Sequence, residues 1–234
     1  MEEKEFDRAQ SVANWAQLIF DNVDIIVPVK EYDLKADRRL LIPFKKQNKI
    51  GFVNQQGEVI VKPQFDVVKG DCYCESDLIH VGVTYSYAYE RAYNHPATYM
   101  NIKWGLINLK GECVLEPQYS NIVVDKRAFI VHEAYGYGYN GTDALLNAKR
   151  ETLIPYGKYF CIETFFNGLS RCRGNKVNED GRSTVLYGII NELGIEVIES
   201  RERFIPSFKQ GSYINTIKEL MKNENPQMYN TYFP

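Results

Sequence analysis

Short apolar segments separated by turn residues recur along the chain. In residues 49–65, an apolar segment, an Asn-x-x-Gly tetrad and a second apolar segment follow one another, and the same order returns in residues 103–119 and 186–198. Such a pattern predicts a β-hairpin. A single hairpin is only marginally stable in water, so we expect several to stack on a shared core. The sequence therefore predicts a mainly β fold built from antiparallel β-hairpin repeats.

The turns of these hairpins have a physical signature. Asn can accept hydrogen bonds from the backbone that follows it, and Gly three residues later tolerates a positive φ. This combination predicts a type I turn closed by a glycine bulge. The predicted turn residues are Asn54, Gly57, Asn108, Gly111, Asn191 and Gly194.

Some copies depart from the pattern. Residues 144–160 form a degenerate copy in which Arg150 stands where Gly is expected, so this turn must take another form or carry strain. Pro63 and Pro117 lack a backbone donor and are predicted to end the second strand of their hairpins. Ser200 replaces this proline in the last clear copy.

The repeated unit resembles the bacterial WG (KWG) repeat. Trp104-Gly105 supplies the aromatic-Gly pair, with Ile50-Gly51 and Tyr187-Gly188 as variants, and the segment "FFNGLSRC" at residues 165–172 is similar to the segment that follows in that family. The resemblance covers about residues 20–205 with interruptions. It implies an array of β-hairpins and leaves the activity open.

Apolar residues at helical spacing predict two helices outside the repeats. The first covers residues 7–20 and includes Trp15; we expect it to cap the array, with membrane or partner binding as the alternative. The second, short helix contains Ile217 and Met221. The predicted division is a capping helix at 1–22, a repeat domain at 23–208 with a Tyr-rich insertion at 82–102, and a helix and tail at 209–234.

Two segments place tyrosines on one strand face and small residues on the other. The favoured interpretation is a structural ladder of cross-strand aromatic pairs. The alternative is an exposed binding surface, because Tyr offers a large contact area at low entropic cost; if the protein has a binding surface, we expect it there. The candidate residues are Tyr85, Tyr87, Tyr89, Tyr135, Tyr137 and Tyr139.

The amino-acid composition limits which classes of binding partner we expect. The net charge of −2 over 234 residues gives no reason to expect nucleic-acid binding. No apolar run approaches the ~18 residues of a membrane span, and the acidic start lacks the features of a secretory signal, so we expect a soluble, cytoplasmic protein.

The sequence contains few residues in patterns typical of catalysis or metal binding. The five cysteines lack disulfide or zinc spacing, and Cys113 is expected to be a small core residue because it aligns with valines. We find no phosphate-binding loop, and we assign no catalytic residue, metal or cofactor.

These observations favour a non-catalytic binding protein whose unknown partner is a protein recognised through the Tyr-rich strands. A glycan- or cell-wall-binding module is the alternative. A third possibility is an enzyme whose site is assembled across repeats, which a deep pocket containing His80 or His132 beside a cysteine or paired carboxylates would favour.

Overall fold

The computed structural model describes residues 10–18, 21, 25–26, 41–69, 77–90, 96–125, 128–133, 141–202, 204–207 and 214–233; for 25–26, 86–90 and 96–101 it describes the backbone alone. These residues form four antiparallel sheets of four strands, each with its strands in sequence order. The predicted mainly β fold, with an N-terminal helix and a short C-terminal helix, is confirmed. Contacts divide the chain into two compact units, Met1–Gln118 and Tyr119–Pro234.

The first unit contains a helix, α1, at residues 10–18, and sheets A and B. Sheet A consists of β1 (Ile25–Ile26), β2 (Ile42–Lys46), β3 (Lys49–Val53) and β4 (Val59–Phe65). Sheet B consists of β5 (Val67–Val68), β6 (Leu78–Glu90), β7 (Pro96–Asn108) and β8 (Cys113–Tyr119). Apolar side chains of both sheets form one core cluster that includes Phe52 and Ile79, because alternate residues of each strand face the neighbouring sheet.

The second unit contains sheets C and D, followed by two helices. Sheet C consists of β9 (Asn121–Val124), β10 (Ala128–Glu133), β11 (Thr142–Asn147) and β12 (Thr152–Tyr159). Sheet D consists of β13 (Cys161–Ile162), β14 (Leu169–Val177), β15 (Ser183–Asn191) and β16 (Glu196–Arg201). The helices are α2 (Ile214–Glu224) and α3 (Pro226–Tyr232).

Sheet D is covered on both faces. Ile190 belongs to a core cluster shared with sheet C, whereas the adjacent Ile189 packs with Ile217 and Met221 of α2. This alternation explains why β15 contains the continuous buried run from Gly188 to Asn191, since successive side chains reach opposite apolar neighbours. The C-terminal helices therefore bury one face of the last sheet.

The hairpin turn between the third and fourth strands has the same backbone hydrogen bonds in all four sheets. In sheet A, Asn54 Oδ1 accepts hydrogen bonds from the backbone N–H groups of Gln56 and Glu58, and Gly57 N–H donates to Asn54 O. Equivalent bonds form at Asn108, Asn147 and Asn191. The fourth turn residue has a positive φ in each case: Gly57, Gly111, Arg150 and Gly194. Arg150 thus keeps the common turn. Its backbone adopts a left-handed conformation that costs a residue with a Cβ atom more free energy than it costs glycine.

The prediction that Pro63 and Pro117 end their strands is wrong. β4 continues to Phe65 and β8 to Tyr119. In sheet A, the paired positions move from Phe52↔Val61 to Ile50↔Phe65, so the strand bulges between Val61 and Phe65. Pro63 lies in this bulge, where a residue without a backbone donor interrupts no regular ladder.

Candidate functional site

Among the described residues, the longest hairpin joins β6 to β7. Thirteen residues of each strand pair, from Leu78↔Asn108 to Glu90↔Pro96. β5 pairs with β6 only at Val67↔Gly82 and Val68↔Val81. Within the described residues, the outer edge of β6 therefore has no strand beside it beyond Gly82. We call residues 84–90 and 96–102 the β6–β7 arm; they lie within the Tyr-rich insertion predicted from the sequence.

A carboxylate anchors the base of the arm. Asp66 Oδ2 accepts a hydrogen bond of 2.8 Å from Thr84 N–H, and Asp66 Oδ1 lies 2.6 Å from Lys49 Nζ. Burial opposes ionisation of Asp66, but the bonds from Lys49 and Thr84 together outweigh it and hold the pKa of this carboxyl below its ordinary value. The aspartate caps a backbone donor at the point where β5 no longer pairs with β6.

Cation–aromatic pairs occupy both faces of the hairpin near this base. Lys103 Nζ lies 5.6 Å from the ring centroid of Tyr85, and Lys69 Nζ lies 5.7 Å from that of Trp104. Tyr85 pairs with Asn101 and Trp104 with Gly82, so alternation along the strands places the two rings on opposite faces. Tyr85 keeps 39% of its surface exposed. The aromatic side chains at the base are thus held in place while Tyr85 remains accessible.

The structure places only some of the predicted tyrosines. Tyr85, Tyr87 and Tyr89 occupy alternate positions of β6, and the backbones of Tyr87 and Tyr89 pair with those of Tyr99 and Ala97. The other three candidates, Tyr135, Tyr137 and Tyr139, lie outside the described residues. The first tyrosine group therefore belongs to one strand of the arm.

A histidine–aspartate pair forms a second polar site, in sheets C and D. His132 Nδ1 lies 2.5 Å from Asp143 Oδ1, and Asp143 Oδ2 accepts a 2.6 Å hydrogen bond from Ile162 N–H. The hydrogen bond to Asp143 raises the pKa of His132 above its ordinary value, against the smaller opposing effect of burial. The pair can hold a charged imidazolium at a half-buried position.

Sequence reasoning named His132 but missed Asp143. The two residues are direct partners in the β10–β11 pair. The register of that hairpin is therefore the feature that would have identified Asp143 as the partner of His132. Within the described residues, no group of three or more His, Cys, Asp and Glu side chains could hold a metal ion.

The cysteines differ in their surroundings. Cys172 is fully buried, and burial is the main effect that raises its pKa to about 11, so the thiol stays protonated near neutral pH. Cys161 is partly buried. The expectation that Cys113 is a core residue is wrong because it is exposed, as is its counterpart Val59 in β4. Both follow the turn directly, on the last strand of the sheet, where one side of the backbone meets solvent.

A cleft of about 460 Å³ lies between the first and second hairpin turns. Its lining combines the polar residues of the Asn54 turn with apolar side chains, and Lys110 provides a cation. The residues are Leu41, Asn54, Gln55, Gln56, Ile60, Leu109 and Lys110. His80 and His132 are not among these lining residues.

Comparison with known protein families identifies two of the repeated segments. Residues 50–70 and 104–125 match the family model of the WG containing repeat. The chain contains WG repeats. The matched segments include the turns at Asn54 and Asn108, so the sequence resemblance is confirmed there. No curated protein and no solved structure matched the chain.

The structure also explains why a glycine follows the aromatic position of the WG repeat. A side-chain carbon added at Gly105 would lie 2.5 Å from Leu115 O and 2.7 Å from Pro117 N, and one at Gly51 would meet Val61 and Pro63 in the same way. In both hairpins, the backbone of the fourth strand approaches this glycine so closely that a side chain would require the backbone to shift. In both matched hairpins, the glycine and the proline-containing segment of the fourth strand therefore belong to one close backbone contact.

One further property concerns membranes. Among the helices that the structure describes, none is both long and apolar enough to cross a bilayer.

Proposed function

We propose that this WG-repeat protein is a non-catalytic scaffold that recognises another protein through the β6–β7 arm. The observation that supports the proposal best is the extension of β6 past its neighbour β5, with Tyr85 exposed at the base. Beyond Gly82, the described residues place no strand beside β6, and a strand edge of this kind offers backbone donors and acceptors to an extended partner segment. The tyrosines of β6 would add contact area and specificity.

The geometry favours a protein over a glycan. Sugar rings stack on an open aromatic face, but Lys103 lies over one face of the Tyr85 ring. A strand edge, by contrast, matches the hydrogen-bonding pattern of a polypeptide backbone. The proposal assigns no catalytic residue, and it keeps the capping helix, repeat domain and C-terminal tail as its division of the chain.

The test combines a triple variant with a matched control. Tyr85→Ser, Tyr87→Ser and Tyr89→Ser are introduced together, and Tyr156→Ser serves as the control because Tyr156 has nearly the same exposure, 37% against 39% for Tyr85. Both variants are checked for folding by circular dichroism. Wild type, variant and control are then used as baits for affinity capture, and any captured protein is purified and its dissociation constant measured.

We expect a protein that binds wild type and the Tyr156 control and loses at least tenfold in affinity for the triple variant. Equal binding to all three baits would show that the interaction does not depend on the tyrosines of the arm. Specific retention on a glycan array, lost in the triple variant, would replace the protein partner by a sugar.

A further inference from the structure

The two middle positions of the hairpin turn differ among the four sheets. The turn depends on the Asn at its first position and on the positive φ at its fourth position. The middle residues are Gln55-Gln56 in sheet A, Leu109-Lys110 in sheet B, Ala148-Lys149 in sheet C and Glu192-Leu193 in sheet D. The residues that these positions contribute to the cleft between the first two turns are therefore not required by the turn itself.

Apolar side chains form one part of the cleft wall. Leu41 is 2% exposed and belongs to the core cluster between sheets A and B, and Leu109 packs against the same cluster. Ile60 keeps 39% of its surface exposed, although the second turn packs beside it: a side-chain carbon added at Gly111 would lie 2.8 Å from Ile60. This apolar wall is held in place by the core and still meets solvent at Ile60.

The polar part of the cleft wall contains groups that are not engaged within the described chain. The amide of Asn54 is used by its own turn, since Oδ1 accepts two backbone N–H groups and Nδ2 donates to Glu58. The side chains of Gln55 and Gln56, by contrast, make no hydrogen bond to any described residue, and the ammonium of Lys110 forms no ion pair with one. The cleft therefore offers two amides and one positive charge to a ligand.

We propose that this cleft is a binding site for a small amphiphilic anion, namely a carboxylate that carries an aliphatic chain. The cleft volume of about 460 Å³ lies within the range of small-molecule sites, roughly 300–1,000 Å³. The aliphatic chain lies against Leu41, Ile60 and Leu109, where burial of apolar surface provides most of the binding free energy. The carboxylate pairs with Lys110 and accepts hydrogen bonds from the glutamine amides, which select the sign of the charge. None of the lining residues belongs to the β6–β7 arm, so the site adds a small-molecule ligand to the proposed protein partner.

The test uses sodium octanoate as the probe and octylammonium chloride as the probe of opposite charge and equal chain length. Each is titrated into the full-length protein, and binding is followed by the NMR shifts of the methyl groups that line the cleft. Lys110→Gln removes the cation of the cleft, and Lys62→Gln is the matched control because Lys62 is also exposed but does not line the cleft. Gln55→Glu places a carboxylate in the cleft at an exposed position that the turn leaves variable. All three variants are checked for folding by circular dichroism.

We expect saturable shifts of these methyl groups with octanoate and weaker binding of octylammonium. Lys110→Gln should weaken octanoate binding about threefold, the size expected for an exposed ion pair, whereas Lys62→Gln should leave it unchanged. Gln55→Glu should remove the preference for the anion, because the added carboxylate offsets the charge of Lys110. The proposal would be overturned by the absence of saturable shifts, by equal affinity of wild type for the two probes, by equal effects of the two lysine substitutions, or by an undiminished preference for octanoate in Gln55→Glu.

Discussion

His132 Nδ1 and Asp143 Oδ1 are 2.5 Å apart, across the β10–β11 pair. Asp143 is buried, and its second oxygen accepts the Ile162 N–H at the start of sheet D. A carboxylate in this position needs a partner for its charge, since an unpaired buried charge is costly. The histidine supplies that partner most fully when it is protonated, so the pair links the stability of the second unit to pH.

The pair predicts that stability declines as pH rises. The pKa of His132 is raised in the folded state above the ordinary value of 6.5. The stabilisation that His132 gives the folded state is therefore fully present below the pKa of the unfolded state. It is lost as the pH rises through the higher pKa of the folded state. Urea unfolding measured between pH 5 and 9 should show this loss. His132→Asn should reduce the slope in that window, whereas an unchanged slope would show that other groups cause it.

The turn at Arg150 predicts a stabilising substitution. Arg150 adopts a φ of +71°, as the glycines do in the other three sheets. Replacing it with Gly should raise the unfolding free energy by about 1 kcal/mol, because the left-handed conformation no longer strains a Cβ atom. Thermal unfolding measures the change. Arg150→Ala is the control that removes the side chain but keeps the strain; if it stabilises as much as Gly, the side chain is responsible.

The fourth turn lacks a hydrogen bond that the other three make. The Nδ2–H of Asn54, Asn108 and Asn147 donates to a glutamate four residues later, but Asn191 is followed at that distance by Ile195. Ile195 is 53% exposed, so little apolar burial is lost when it is replaced. Ile195→Glu should therefore stabilise the protein by about 0.5 kcal/mol in thermal unfolding.

A double-mutant cycle identifies the source of that gain. In an Asn191→Ala background, Ile195→Glu should bring no stabilisation, because the amide donor is absent. A gain of the same size in both backgrounds would attribute the effect to the removal of an exposed apolar side chain.

The sequence was most informative where structure depends on a few neighbouring residues. The Asn-x-x-Gly tetrads predicted hairpins because an Asn side chain and a residue with positive φ determine the turn locally. The bulge at Pro63 was missed because it depends on how closely β4 approaches Gly51, a tertiary property. The pairing of His132 with Asp143 was missed because it depends on the register of two strands, and their connecting segment contains Gly136, Gly138 and the Asn140-Gly141 pair, which leave more than one register open.

The backbone of β8 lies close to Gly105, so we expect the stability lost on adding a side chain to be large at this position. An alanine Cβ there would lie 2.5 Å from a backbone oxygen and 2.7 Å from a backbone nitrogen, so the backbone of β8 itself would have to move. Gly105→Ala should destabilise the protein by on the order of 1–3 kcal/mol, as overpacking commonly does.

Sheet C provides the matched control, because Ala144 occupies the equivalent place. There the pairing passes from Leu145↔Ile154 to Asp143↔Tyr159, so β12 has a longer bulge than β4 and leaves room for a methyl group. Ala144→Gly should cost no more than about 1 kcal/mol, the usual effect of adding backbone freedom to a strand. If chemical denaturation gave the two substitutions equal effects, the closeness of the fourth strand would not determine which of these hairpins require glycine. A larger loss for Gly105→Ala would show that the strand after the turn imposes this glycine on the repeat.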